Sequence, residues 1–212
     1  MKKYDYFLLD WDGNLAKTLD IWLDAIKIVL EKHGIYKSDN EIGASFGKMI
    51  AHFELWGVTD PHAAYQAADK IAKRALPEVD LYPAALLVLG ELHKANKHLA
   101  LITTSPHENV EHLLEKYDIQ QLFEVVIAGD DVENHKPHPE PLEKALSKLG
   151  GTKERTVMIG DSDKDIGAAR NFGVDSILFF PEEHHKFYDY KALQVLSPTY
   201  IVDDFSRVLE AI

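Results

Sequence analysis

Five short apolar runs govern what this chain can fold into: Tyr6-Phe7-Leu8-Leu9, Leu99-Ala100-Leu101-Ile102, Val125-Val126-Ile127-Ala128, Val157-Met158-Ile159 and Ile177-Leu178-Phe179-Phe180. Each is continuous rather than alternating, the pattern of a strand covered on both faces, as parallel strands are. Between them lie helical patterns: Pro83 to Ala95, Pro106 to Tyr117, Pro139 to Leu149 before Gly150-Gly151, and Ser162 to Phe172 before Gly173. Strand and helix in alternation predict an open parallel α/β sheet. A weaker strand at Tyr200-Ile201-Val202 and a helix from Asp204 close the chain.

Residues 15–80 break the alternation. They carry helical spacing and no strand pattern, with Ile21, Ala25, Ile28, Val29 and Lys32 on one face and Ala63, Ala67, Ala68, Ile71 and Ala75 on another. An all-helical insertion directly after the first strand predicts a separate small cap, 15–80, set into an α/β domain made of 1–14 and 81–212.

Composition narrows the partners. With 23 Lys+Arg against 35 Asp+Glu the formal charge is −12, which argues against nucleic acid and anionic membranes. A small anion held by a few local donors stays open. The absence of cysteine excludes disulfides, thiolate metal sites and a cysteine nucleophile. No apolar run approaches the ~20 residues of a membrane helix, and Met1-Lys2-Lys3 leads straight into Tyr4-Asp5-Tyr6 without a signal-peptide stretch. The expectation is an acidic, cytoplasmic protein with a small-molecule partner.

Four junctions carry candidate chemistry. In Leu9-Asp10-Trp11-Asp12-Gly13-Asn14 a strand delivers Asp10 to the carboxyl edge of the sheet, where ligands of open α/β folds bind. Asp12, two residues on, falls on the same side if the backbone stays extended. A hard cation such as Mg²⁺, held by carboxylate and carbonyl oxygens, would keep Asp10 ionised. An Asp-Gly turn that merely ends the strand explains the same residues. In Ile102-Thr103-Thr104-Ser105-Pro106-His107-Glu108 a strand runs into hydroxyls and then a helix, an arrangement suited to an anion. Helix capping by Ser105 with Glu108 accounts for those two residues but leaves Thr103 and Thr104 over. The prolines of His135-Lys136-Pro137-His138-Pro139 stiffen the loop presenting Lys136, either an ordinary surface lysine or a point charge for a carboxylate–phosphate pair. His135 and His138 find no third neutral ligand nearby and read as loop residues. In Gly160-Asp161-Ser162-Asp163-Lys164-Asp165, Ser162 and Asp165 have capping spacing, while Asp161 is left for a metal.

Asp10-Trp11-Asp12-Gly13, Thr103, Lys136-Pro137 and Gly160-Asp161 with Asp165, in this order, resemble the four motifs of the haloacid dehalogenase (HAD) superfamily over nearly the whole chain. The helical segment is similar to the cap of its phosphoglycolate phosphatase and β-phosphoglucomutase subgroup. The resemblance implies a Rossmann-like core with a helical cap and a Mg²⁺-dependent phosphatase acting on a small phosphate ester. It implies Asp10 as the nucleophile that becomes an aspartyl-phosphate and Asp12 as general acid and then base. It further implies Mg²⁺ at Asp10, the Asp12 carbonyl and Asp161 with Asp165 in support, and phosphoryl oxygens at Thr103, the Thr104 amide and Lys136. In this subgroup Lys48, after Gly47, would meet a second anion on the substrate or else remain a solvated lysine, and His52, Trp56 and His107 are further pocket candidates. Asn14 departs from the threonine usual there. A phosphomutase, or a weakened binding protein on the same fold, are the alternatives.

Overall fold

In the computed structural model, which describes residues 4–211, β1 (Tyr6–Leu9) is a central strand of a six-stranded, all-parallel sheet. The other strands are β2 (His98–Ile102), β3 (Val125–Ile127), β4 (Thr156–Gly160), β5 (Asp175–Phe179) and β6 (Tyr200–Val202), in the spatial order β3-β2-β1-β4-β5-β6. Leu8 pairs with Ala100 on one side and Met158 on the other, and β1 is buried from Phe7 to Leu9. The chain proceeds from β1 outward to β2 and β3, then returns to the opposite side for β4. Above the carboxyl ends of β1 and β4 the strand order reverses, which opens the crevice that such sheets use for ligands.

The sheet is held by the apolar runs that predicted it. Leu8, Ala100, Ile102 and Met158 pack with Leu142, Ala145 and Leu146 of α7 (Glu140–Leu149) and Ala168, Ala169 and Phe172 of α8 (Asp163–Phe172). Gly150 and Gly173 end those two helices in the left-handed conformation, at φ 65° and 85°. On another part of the sheet Phe179 meets Tyr82 and Phe205 edge-on, at ring separations of 4.9 and 5.2 Å. The expected final helix is split: Asp204 accepts from Ser206 N–H, a 3₁₀ turn covers Phe205–Arg207, and an α-helical turn follows at Val208–Ala211.

The chain divides into two compact units. One contains the sheet and takes the chain up to Lys17, Asp80–Glu182 and the residues from Tyr190 onward; the other is helical and takes Thr18–Val79 with Glu183–Asp189. Within the helical unit α1 (Leu19–Lys32) packs on α4 (Pro61–Ala75), with α2 (Asp39–Gly43) and α3 (Met49–Leu55) between them in sequence. The buried stripes are offset from those the sequence suggested. In α1 they are Leu19, Leu23, Ile26 and Leu30 with Ala25 and Val29, while Ile28 is 41% exposed. In α4 they are Ala64, Ala68 and Ala72, a small-residue stripe of i, i+4, i+8 spacing. Both helices carry apolar residues around more than half their circumference, so periodicity alone did not single out the buried line.

Residues 183–189, which the sequence grouped with the sheet, pack within the helical unit. His184 and Phe187 are buried, Lys186 pairs with Asp20 and approaches Asp39 at 3.9 Å, and the Phe187 backbone lies directly over Gly43. A Cβ on Gly43 would overlap the Phe187 carbonyl. Gly43→Ala is expected to cost about 1–3 kcal/mol. Hydrogen exchange should show lost amide protection in α1–α4 and 183–189, with strands β1, β2 and β4 retaining theirs.

Candidate active site

The end of β1 is locked before any ligand arrives. Asp10 N–H donates to Ile159 O at 2.9 Å, tying the site to β4. Beyond it the chain curls so tightly that the Trp11 carbonyl accepts from the amides of Asn14, Leu15 and Ala16, at 3.2, 3.0 and 3.0 Å. Gly13 supplies the positive φ, 75°, that this curl requires. Asn14 is fully buried, and its Nδ2 donates to Asp10 O at 3.0 Å.

Lys136 reaches this point from the proline-stiffened loop. Its ammonium lies 2.7 Å from Asp10 Oδ1 and 2.6 Å from Asp165 Oδ1, and it donates to Ile102 O at 3.1 Å. Its side chain is 3% exposed, so of the two sequence readings the surface lysine is excluded. Asp10 Oδ1 also accepts from Trp11 N–H at 2.8 Å. Asp165, in the first turn of α8, has both oxygens in use: Oδ1 by Lys136, Oδ2 by Ser162 N–H at 3.1 Å and Ser162 Oγ at 2.6 Å. The capping spacing of Ser162 and Asp165 therefore exists, and the same aspartate also anchors the lysine. Gly160 makes room for it, since a Cβ there would overlap the Asp165 carboxylate.

Asp161, at the end of β4, is buried. Asp10, Asp161 and Asp165 each bring a carboxylate oxygen within 4.8 Å of the others. Fully ionised, these three buried carboxyl groups would exceed the charge of the Lys136 ammonium by two. Oxygen donors with that charge suit a divalent hard cation, so the residues present fit one.

After β2, Thr103 is held by its amide to Ile127 O at 3.0 Å, and its hydroxyl donates to Asp12 Oδ2 at 3.2 Å. Asp12 is thus brought beside Thr103. Thr104 is exposed, and its amide has no acceptor among the described residues. Helix α6 (His107–Lys116) starts later than the capping reading required. Pro106 occupies the cap position and no side chain caps it. Ser105 instead donates from Oγ to Asp12 Oδ2 at 2.8 Å, a contact that capping vocabulary had hidden. His107, a pocket candidate, turns to the 129–131 turn, with Nε2 2.8 Å from Asp131 Oδ2. Lys48, His52 and Trp56 lie in the helical unit. Lys48 is exposed at the start of α3, its carbonyl is 2.9 Å from His52 Nδ1, and the His52 and Trp56 rings are 5.5 Å apart.

Electrostatics follow from this burial. Desolvation, with the charge of Asp165 adding, pushes the Asp10 carboxyl up to about 8 against the pull of Lys136. Burial alone would lower Lys136 and raise Asp165. The charges of Asp10 and Asp165 on the lysine outweigh that and hold it above its ordinary value, while Lys136 and Ser162 hold Asp165 below its own.

The family model described as haloacid dehalogenase-like hydrolase matches residues 7–179, and the chain belongs to that family. A phosphoglycolate phosphatase of Salmonella paratyphi A is 42% identical over 134 residues, 62% of this chain and 51% of the relative. The match thus spans about half the length of that relative. Pyrophosphatase PpaX of Halalkalibacterium halodurans is 32% identical over 172 residues, 79% of each chain. The solved structure of a haloacid dehalogenase-like family protein from Streptococcus pneumoniae shares the fold, with a TM-score of 0.83 at 21% identity and 99% of each chain covered. Among the described residues no helix is long and apolar enough to cross a membrane.

Asp10 holds its proton more tightly in the folded chain than in the unfolded one. Between its ordinary 3.8 and about 8 the folded state keeps a proton that the unfolded state has released, so stability falls as pH rises through that window. The depressed Asp165 acts below it and the elevated Lys136 above it. Thermal melts of metal-free protein should show Tm dropping between about pH 5 and about pH 8 by at least about 3 °C, the shift from roughly 1 kcal/mol in a chain this size. A divalent cation should remove most of the drop by favouring the charged carboxylate.

Proposed function

We propose that this chain is a Mg²⁺-dependent phosphatase that hydrolyses a small phosphorylated metabolite through an aspartyl-phosphate on Asp10. The observation that carries the reading is the buried cluster at the strand-order reversal, where the carboxylates of Asp10, Asp161 and Asp165 gather and Lys136 bridges two of them. Mg²⁺ would be held by the Asp10 and Asp161 carboxylates and the Asp12 carbonyl, with Asp165 in support. There it would offset the surplus negative charge and draw charge from the phosphoryl oxygens.

The chain's own groups divide the work. The Thr104 amide, Lys136 Nζ and Thr103 Oγ, whose proton turns from Asp12 to the substrate, hold the phosphoryl oxygens and fix phosphorus in line with Asp10. An Asp10 oxygen bonds to phosphorus as the ester P–O bond breaks, and the departing oxygen takes the proton of the Asp12 carboxyl. Asp12, now a carboxylate, takes a proton from the water that attacks the phosphorus. The bond from phosphorus to Asp10 then breaks, which restores both aspartates. Phosphoglycolate and pyrophosphate, named in the two relatives, each join a phosphoryl group to a second anion. Lys48 is the exposed cation of the helical unit assigned to such a second group.

Phosphate release from a panel of monoesters and pyrophosphate, with Mg²⁺ and with EDTA, tests the reaction class; release insensitive to EDTA would count against it. Asp10→Asn should reduce turnover to background with the fold intact by circular dichroism. Asp12→Asn should lose about 10²–10⁴-fold, the range for a general acid–base group. Lys48→Ala should raise KM for the doubly anionic substrate more than it lowers kcat, and unchanged kinetics would return Lys48 to the solvated surface.

A further inference from the structure

Ser105 lies one residue before the cap position of α6, which Pro106 occupies. Its backbone and side chain serve Asp12 instead. The Ser105 hydroxyl donates to Asp12 Oδ2 at 2.8 Å, and its amide donates to Thr103 Oγ1 at 3.0 Å. Because Thr103 Oγ1 accepts that bond, its own proton is turned toward the same Asp12 Oδ2, at 3.2 Å. Two hydroxyl protons thus converge on one oxygen of the carboxyl group, and no described residue donates to the other.

The loop that presents these protons is clamped from behind. Gly129 N–H donates to Ser105 O at 2.9 Å, and a Cβ on Gly129 would overlap the Thr104 carbonyl. The 129–131 turn is itself fixed, with Asp131 Oδ2 accepting from Ala128 N–H at 2.9 Å and lying 2.8 Å from His107 Nε2. His107 N–H donates to Asp130 Oδ1 at 3.2 Å. The Ser105 hydroxyl is therefore held in place by turn residues that lie outside the reaction itself.

Resting on the phosphatase reading above, we infer that Ser105 is a positioning residue for proton transfer by Asp12: its hydroxyl occupies Oδ2, so that the acidic proton resides on Oδ1 and the carboxyl group is fixed to hand it to the leaving oxygen. A carboxylic acid whose one oxygen accepts a hydrogen bond from a fixed donor carries its proton on the other. The terminal torsion of an aspartate is otherwise broad, and the Ser105 donor, which stays on Oδ2 when Thr103 turns to the substrate, narrows it. Ser105 then matters in proportion to how much the departing oxygen needs a proton. An ester with a good leaving group tolerates its loss, and a poor one does not.

A leaving-group series tests this with one substrate shape. Initial rates for 2,4-dinitrophenyl, p-nitrophenyl, phenyl and p-methoxyphenyl phosphate with Mg²⁺ give kcat/KM for the wild type, Ser105→Ala, Ser105→Cys, Ser105→Thr and Asp12→Asn. Ser105→Ala should lose roughly tenfold on phenyl phosphate, the upper end of the loss expected for one neutral hydrogen bond. It should lose less than about threefold on the dinitrophenyl ester. The dependence on leaving-group pKa should be steeper than in the wild type and in the direction of Asp12→Asn. Ser105→Thr, which keeps a hydroxyl, should restore the wild-type slope, and Ser105→Cys, a weaker donor, should fall between. A uniform loss across the four esters would make Ser105 structural only, and a rise in KM with kcat unchanged would make it a substrate contact; either overturns the inference while Asp12→Asn still shows the steep slope. A misfolded Ser105→Ala leaves the decision to the cysteine and threonine variants, and parallel slopes there overturn it equally. No turnover of any ester by the wild type would overturn the phosphatase reading and this role with it.

Discussion

A buried ammonium shared between two carboxylates organises this molecule's sheet edge. Lys136 spans Asp10 and Asp165 and donates to the last carbonyl of β2, so groups from the ends of β1 and β2 and from the start of α8 meet on one nitrogen. Removing one partner of such a set leaves an uncompensated charge in a dry site, which is far more damaging than losing a surface pair. The glycine before Asp161 and the serine after it are both explained by the same aspartate, one by the space it needs and the other by the protons it takes. The lysine balances only part of the negative charge around it, so the arrangement is stable as protein and incomplete as electrostatics. That incompleteness is what the proposed Mg²⁺ site rests on.

The sheet was legible because its signal is local. Continuous apolar runs of three or four residues between turn signals point to a doubly covered strand, and each predicted run lies on an observed strand to within a residue or two. Asp10, Asp161 and Lys136 could be picked out because each follows a strand or sits in a stiffened loop, and the structure brings Lys136 against Asp10 and Asp165, with Asp161 in the same cluster. What the sequence concealed was choice between equivalent local explanations. Ser105 satisfied the cap rule on paper, and only the late start of α6 at His107 shows that the rule was not used. In α1 and α4 several faces are apolar enough to be buried, and which one is buried depends on the partner helix rather than on the helix itself.

Asn14 illustrates how a departure from a family pattern is absorbed. Its amide nitrogen holds the Asp10 carbonyl, the task a hydroxyl could perform, while its Oδ1 is buried with no hydrogen-bond partner among the described residues. An amide is longer than a threonine side chain and brings a second polar atom that the pocket does not satisfy. The curl after β1 is therefore supported at the nucleophile and left under-satisfied one bond away.

Residues 183–189 alter what kind of insertion the helical unit is. A cap spliced into one loop could be exchanged between relatives by cutting the chain twice. Here the unit draws on two separated stretches, 18–79 and 183–189, and so is joined to the rest of the chain at four peptide bonds. Deleting the first stretch alone would strand Phe187 and His184 without the helices that bury them, and importing a foreign cap alone would set Gly43's replacement against a backbone it was never shaped for. Recombination or gene shuffling that treats the cap as a single cassette will fail for this chain, so its helical unit and the short segment after β5 are bound to vary together.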